Sequence, residues 1–365
     1  VPGRWRRTAA GHLAPRIAAR GPPSLAFGFL WHHAGMSALR VLEFVRGRDG
    51  VWSLPRRFVD DLRREFPSVR FDSPADEAEV ARALPEADVV VGWAVTPENF
   101  ASARRLRWIQ VTAAGVGSLL FPALIESPVV VTNGRGLHAV AMAEHTLGVM
   151  LAFVRRLHLA RDAQAARRWA QEELYADGTG FSELGGTTMG LVGFGAVGRA
   201  IAERASLLGV EVLVVRRHPV SAPGPAREQW GPERLPELLG RSDWIVLAAP
   251  LTGETRGLID REALTRVRPG AVLINLGRGK LVEETAVIEA LVAGRLAGVA
   301  LDVFAEEPLP SASPLWSMPQ AIVTPHVSGF GPRYWERSVE LVRRNLRAYL
   351  SGAPLENVVD KRAGY

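Results

Sequence analysis

The chain has 365 residues, 47% of them hydrophobic, and a formal net charge of +6. That length favours two domains, and the apolar content is ample for packed cores. The absence of cysteine excludes disulfides, thiolate metal sites and a cysteine nucleophile, and no apolar run approaches the ~18 residues of a membrane span.

The charge is unevenly placed. Residues 1–35 hold Arg4, Arg6, Arg7, Arg16 and Arg20 and no acid, so the remainder carries only +1. A nearly neutral body gives little electrostatic support to a nucleic-acid role. The eight histidines are scattered, and no metal-ligand cluster is visible. A cysteine-free chain without a membrane span fits a cytoplasmic protein. Residues 1–35 are rich in Ala, Arg, Gly and Pro without an amphipathic period. They are expected to be an N-terminal extension, disordered or not native, with no part in catalysis. A transit peptide is the other reading of a basic, acid-free segment.

From Leu39 to Val131, short apolar runs alternate with amphipathic ones. Strands are expected at Val41–Phe44, Val69–Phe71, Val89–Val91, Trp108–Val111 and Val129–Val131. Helices are expected near Pro55–Glu65, Ala75–Ala83, Pro97–Arg104 and Gly117–Leu124. The alternation predicts a parallel sheet. The small residues from Thr112 to Gly117 follow a strand and expose backbone N–H groups suited to a carboxylate, or make a plain tight turn. Leu137–Ala160 reads as one long helix linking two domains, with Glu144 and His145 as a buried pair or a subunit contact.

Met189–Val192 reads as a buried strand. Gly193, Gly195 and Gly198 follow in the spacing G-x-G-x-x-G, then a helical run through Val197, Ile201 and Ala205, then a second strand at Glu211–Val215. Strand, glycine turn, helix, strand is the context of a dinucleotide fingerprint, with the pyrophosphate at the helix start. An acid at the end of the second strand would accept from the ribose 2′-hydroxyl; Arg216 stands there, followed by Arg217. Two guanidiniums favour a 2′-phosphate, so NADP is expected to be preferred, with NAD possible.

After a proline-rich loop at 219–232, further strands are expected at Trp244–Ala248, Ala271–Asn275, Gly298–Val303 and Ala321–Val323. Helices are expected at Pro232–Leu239, Arg261–Arg266 and Glu283–Ala293. Pro332–Leu350 reads as an amphipathic helix able to return to the first domain. The fold class is therefore α/β, with two doubly wound parallel-sheet domains and a cleft between them. The expected divisions are 36–136 plus 332–365 for substrate and 137–331 for the dinucleotide. Arg278, Glu307 and His326 fall just past predicted strand ends, where ligands of open α/β sheets bind.

Six stretches together carry a resemblance: Ala143-Glu144-His145, Gly190–Gly198, Pro250-Leu251-Thr252, Asn275–Gly279, Leu301–Pro308 and Thr324–His326. From Leu39 to Tyr365 the chain resembles the D-isomer-specific 2-hydroxyacid dehydrogenases. The resemblance implies a Rossmann cofactor domain and a flavodoxin-like substrate domain, hydride transfer between NADP(H) and a small 2-keto acid, and a homodimer built through the helix after Leu137. It implies Arg278 as the group that grips the carboxylate and polarises the keto oxygen, His326 as general acid and base, and Glu307 as the group that orients the imidazole and favours its protonated form. It extends the cofactor contacts to Phe194, Ala196, Val197, Ala249, Pro250, Thr255, Leu276, Gly277, His326 and Asp302, the last toward the nicotinamide carboxamide. Substrate contacts are implied for Val91, Gly92, Trp93, Ala114, Gly115 and Val116 as well as Arg278. Two positions depart from the family pattern: Arg216 replaces the usual acid, and Gly117 stands where many members carry Asp. A formate- or phosphite-type dehydrogenase and a dinucleotide-sensing corepressor-like protein are the alternatives on this scaffold. No nucleic-acid or membrane partner is expected.

Overall fold

A computed structural model of the chain describes residues 38–45, 53–175, 181–220 and 224–364. The expected extension at 1–35 lies outside the described residues.

The first half runs β1 (Leu39–Phe44), α1 (Arg56–Glu65), β2 (Val69–Asp72), α2 (Glu77–Ala83), β3 (Val89–Gly92), β4 (Trp108–Gln110), α3 (Pro122–Glu126) and β5 (Val130–Thr132). The strands form one parallel sheet in the order β2-β1-β3-β4-β5, the flavodoxin-like arrangement. All five expected strands are present. Two expected helices are shorter. Pro97–Arg104 holds only a 3-10 turn at Phe100–Ser102. There Asn99 accepts from the Thr96 N–H at 2.8 Å and donates to the Ala94 carbonyl at 2.8 Å, which draws the backbone into a loop instead of a helix. In Gly117–Leu124 the helix begins only at Pro122, whose fixed φ and missing N–H suit a first turn.

The chain then crosses through α4 (Ala139–Val154), α5 (Leu157–Ala165) and α6 (Gln171–Tyr175). The single helix expected over Leu137–Ala160 is broken, because Arg156 takes a left-handed φ of 51°. Beyond it lie β6 (Thr188–Val192), α7 (Ala196–Leu207), β7 (Glu211–Val215), β8 (Glu228–Trp230), α8 (Leu235–Arg241), β9 (Trp244–Leu247), α9 (Arg261–Arg266), β10 (Ala271–Asn275), α10 (Glu284–Val292), β11 (Leu296–Leu301) and β12 (Ala321–Val323). They form a seven-stranded parallel sheet, β12-β11-β10-β9-β6-β7-β8, which contains the doubly wound order of a dinucleotide fold. β8 lies within the stretch expected to be loop. It is a three-residue strand at the sheet edge, too short for a periodic signal, and is anchored by the buried Trp230.

Each sheet is covered by a helix from beyond its own run. Ala143, Met150 and Val154 of α4 pack with Met189, Ile201 and Ala205 of the second half. The last helix, α11 (Tyr334–Ser351), returns to the first sheet, where Val339, Val342 and Leu346 pack with Val41, Val89 and Trp108. Its register is set by a buried polar chain. Asn345 donates to Gln110 at 2.8 Å, Thr132 donates to the same Gln110 oxygen at 2.9 Å, and Trp108 donates to Thr132 at 2.7 Å. Such groups are costly if left unpaired, so the chain specifies one seating of α11. Among the described residues, no helix is long and apolar enough to cross a membrane.

Leu346 is fully buried, whereas Leu350 on the same helix is 47% exposed. Leu346→Ala is expected to cost about 2–5 kcal/mol and Leu350→Ala about 0.5 kcal/mol or less, read from urea unfolding midpoints. Equal shifts for the two would contradict this seating of α11.

Candidate active site

The glycine turn after β6 is built by contact. Gly193 has φ +97°, and a Cβ there would lie 2.8 Å from the backbone of Ala248 and Ala249. A Cβ on Gly198 would come within 2.3 Å of the Gly193 carbonyl oxygen, which seats the start of α7 directly on the strand. Gly195, the residue that caps α7, would meet nothing within 4 Å. Its surface is open, as a backbone approached by a phosphate requires. Phe194 is buried, Ala196 is exposed and Val197 is half-buried.

At the end of β7 the backbone N–H of Arg216 donates to Trp230 in β8 at 2.9 Å. The guanidinium Nη1 of Arg216 is buried and has no hydrogen-bond partner. Arg217 donates to Glu254 at 2.7 Å, across to the loop after β9. That loop is shaped by Thr255, whose hydroxyl donates to the Pro250 carbonyl at 2.7 Å and accepts from Thr252 N–H at 2.8 Å. Ala249 and Leu276 are buried beneath the same rim. The residues present fit a dinucleotide: an open glycine backbone for the phosphates at the start of α7, and a half-buried arginine at the end of the next strand.

Arg278 follows β10. The buried Asn275 holds its turn, accepting from Gly277 N–H at 3.1 Å and donating to the Arg278 carbonyl at 3.0 Å. The guanidinium reaches the other sheet's loop: a Cβ built on Gly115 would lie 2.4 Å from Arg278 Nη2. Desolvation pulls this guanidinium below the ordinary arginine value, against an opposing attraction from Glu307, and it stays charged. Among the described residues, the N–H groups of Ala114, Gly115 and Val116 donate to no protein acceptor. A loop with unpaired amides therefore lies beside a guanidinium, a combination of donors suited to an anion.

His326 has φ 54°, and its Nδ1 lies 2.7 Å from Glu307 Oε2. Glu307 is itself positioned, accepting from the Phe304 N–H at 3.0 Å. The loop bearing His326 is clamped by Asp302, which is 1% exposed. Asp302 Oδ1 accepts from the Thr324 hydroxyl at 2.6 Å and the Val327 N–H at 2.9 Å, and Oδ2 from the Ser328 N–H at 3.0 Å. Burial raises the Asp302 carboxyl, but these bonds outweigh it and hold it below the ordinary aspartate value.

The structure thus brings Arg278 to Gly115, and His326 to Glu307. Val91 turns its side chain into the core at 2% exposure, which leaves only its backbone for a ligand; Gly92 is buried and Trp93 half-buried beside it. Glu144 is exposed, not half of a buried pair, and His145 approaches Thr324 at 3.5 Å. Residues not anticipated from sequence include His138 and Tyr334, whose rings stack at 4.9 Å and 17°. No motif marks them; only the fold joins positions so far apart.

Residues 147–328 match the family model of the D-isomer specific 2-hydroxyacid dehydrogenase NAD binding domain. The chain is 33% identical over 301 residues to D-3-phosphoglycerate dehydrogenase of Mycobacterium tuberculosis, covering 81% of this chain and 55% of that protein. It therefore spans little more than half the length of such relatives. It is 33% identical over 316 residues to glyoxylate/hydroxypyruvate reductase B of Pectobacterium carotovorum, covering 84% of this chain and 97% of the relative. Among solved structures, it resembles the NADPH-dependent glyoxylate/hydroxypyruvate reductase from Sinorhizobium meliloti in complex with NADP and sulfate, with a TM-score of 0.75, 28% identity, and coverage of 90% of this chain and all of that one.

Burial lowers the pKa of His145, although Asp302 raises it, and burial likewise lowers His158. In the unfolded chain these histidines take up protons near the ordinary value of about 6.5, whereas the folded chain resists to lower pH. The unfolded state then binds more protons, so the histidines' stabilising contribution is full above that value and is lost as pH falls toward the folded one. The melting temperature is expected to drop between about pH 7.5 and about pH 5.5, and to drop less in His145→Leu. An equal drop in the variant would remove His145 from this account.

Proposed function

The chain belongs to the D-isomer specific 2-hydroxyacid dehydrogenase family, and on that premise we propose that it reduces small 2-keto acids to D-2-hydroxy acids with NADPH. The approach of Arg278 to Gly115, on a loop whose amides at Ala114–Val116 make no protein hydrogen bond, carries the reading. One substrate carboxylate satisfies both sets of donors. The likeness to a glyoxylate/hydroxypyruvate reductase over nearly its whole length favours glyoxylate or hydroxypyruvate.

On this reading Arg278 binds the carboxylate and polarises the C2 keto oxygen, which a planar fork does better than a point charge. The nicotinamide, when bound, supplies the hydride to C2. His326 donates its proton to the keto oxygen as it becomes a hydroxyl. Glu307 holds Nδ1, so Nε2 is the nitrogen that carries that proton. Gly193, Gly195 and Gly198 hold the pyrophosphate. Arg216 takes the 2′-phosphate through its guanidinium. Asp302 fixes the His326 loop and lies beside the expected nicotinamide site. Residues 36–136 with 332–365 serve the substrate, and 137–331 the cofactor. Leu151, Leu157, Trp169, Tyr175 and Phe181 are exposed large hydrophobic side chains along α4–α6 and its flank, with Trp169 at 91%. A homodimer through this surface would cover them.

Loss of reduced-nicotinamide absorbance with glyoxylate and hydroxypyruvate is expected to be faster with NADPH than with NADH. Arg216→Asp is expected to erase a preference of about 10- to 100-fold, since a hydrogen bond to a charged group is worth about 1.5–3 kcal/mol. His326→Asn is expected to lower kcat by about 10²–10⁴-fold while the protein still binds NADPH. An unchanged cofactor ratio would sink the Arg216 assignment, and full activity of the His326 variant would sink the mechanism. Trp169→Glu is expected to convert a dimer to a monomer in sedimentation; a wild-type monomer would remove the dimer.

A further inference from the structure

The chain passes between the two sheets twice. The first crossing follows β5 and enters α4; the second follows β12 and enters α11. His138 caps α4, and Tyr334 is the first residue of α11. Their rings stack with centroids 4.9 Å apart and planes 17° from parallel. Each member then reaches a different ligand-facing loop. The Tyr334 hydroxyl donates to the Thr112 carbonyl at 3.0 Å, just ahead of the Ala114–Val116 amides. His138 Nδ1 lies 2.9 Å from the Gly329 carbonyl oxygen, three residues beyond His326.

The contacts are closely fitted. A carbonyl oxygen can only accept, so Nδ1 is the protonated nitrogen of His138. A Cβ on Gly329 would lie 2.9 Å from that nitrogen. The ring is held against Gly329 by the absence of a side chain there. Tyr334 is 5% exposed, and its phenol is further packed edge-on by Trp335 at 4.8 Å. Burial lowers the His138 pKa, and the charges of Arg278 and Arg337 lower it further while the Gly329 bond opposes them, so the ring is neutral at pH 7 and adds no cation beside Arg278. His138 and Tyr334 stand where the two crossings enter α4 and α11.

We propose that His138 and Tyr334 are positioning residues, a stacked clasp that fixes the carboxylate-binding loop at Thr112–Val116 relative to the acid–base loop at Thr324–Gly329. This extends the keto-acid reductase reading, since it concerns the two loops that reading assigns to substrate. Arg278 and the Ala114–Val116 amides define where the carboxylate sits, and His326 must reach an oxygen on the adjacent carbon. Small errors between those points are costly, because a displacement of about 1 Å can reduce rate about 10²-fold. The clasp joins the points through one aromatic contact and two hydrogen bonds, independent of the long path through either sheet.

The test uses the full chain with Tyr334→Phe, His138→Phe and the double variant. Phenylalanine retains an aromatic ring at each place and removes one hydrogen bond. Each single variant is expected to lower kcat about tenfold with KM for NADPH unchanged and melting temperature nearly unchanged. The double variant is expected to be no worse than the poorer single, since cutting the clasp twice does nothing more. Multiplying effects, or a loss confined to KM for NADPH, would overturn the clasp. A second readout needs no turnover: amide hydrogen exchange at Gly134, which donates to Ala113, and at His326, Val327 and Ser328, which donate to Asp302. Either substitution is expected to speed exchange severalfold on both sides. Faster exchange only on the substituted residue's own side means two separate local bonds and no clasp. If wild type reduces no keto acid yet exchange is coupled, the reductase reading fails and the clasp stands.

Discussion

A buried carboxylate, Asp302, organises the site. It sits at the end of β11 with 1% exposure, and would be prohibitively costly there without partners. Its partners are the Thr324 hydroxyl and two successive backbone N–H groups, all on one loop. That single charge holds the loop in the conformation that gives His326 its left-handed backbone and brings its ring to Glu307. The strain of a positive φ at a residue with a side chain is of order 1–3 kcal/mol and persists only where surroundings over-determine it. Here Asp302 supplies that over-determination from below, and the Gly329–His138 bond from the side.

Both sheets deliver their ligand-facing loops from the carboxyl ends of parallel strands. β4 leads to Thr112–Val116, β6 to the glycine turn, β10 to Arg278, and β12 to His326. The cleft arises because the chain crosses between sheets with those ends turned toward each other, as the Gly115–Arg278 approach demonstrates. The polar groups are thereby divided: one half contributes uncharged backbone donors, the other a guanidinium and an imidazole–carboxylate pair.

Much of this was legible in the sequence because strands buried on both faces leave continuous apolar runs, and each expected strand forms within a few residues of its expected bounds. The glycine spacing and Arg216 stood out for the same reason: local backbone geometry is written in local residues. What escaped was short or distant. β8 has three residues and no period, and Pro97–Arg104 reads as helical until Asn99 bonds its own neighbours. Arg156 breaks a helix that composition would continue. His138, Tyr334 and Asn345 are ordinary residues whose roles exist only through partners about 200 positions away. Tertiary hydrogen bonding of that kind has no periodicity to read.

The return of α11 to the first sheet also bears on how the chain is made. Val41, Val89 and Trp108 are synthesised well before the helix that covers them and the Asn345 amide that joins the Gln110 and Thr132 network, which follow the second sheet. At roughly 5–20 residues per second, the roughly 200 intervening residues take on the order of 10–40 s. Throughout that interval the nascent first sheet has an uncovered apolar face, while the second sheet already has α4 in hand. The second sheet therefore has its covering helix before its own strands are made, whereas the first sheet gains α11 only long after its strands. During translation, the apolar face beneath α11 is the surface a chaperone would meet.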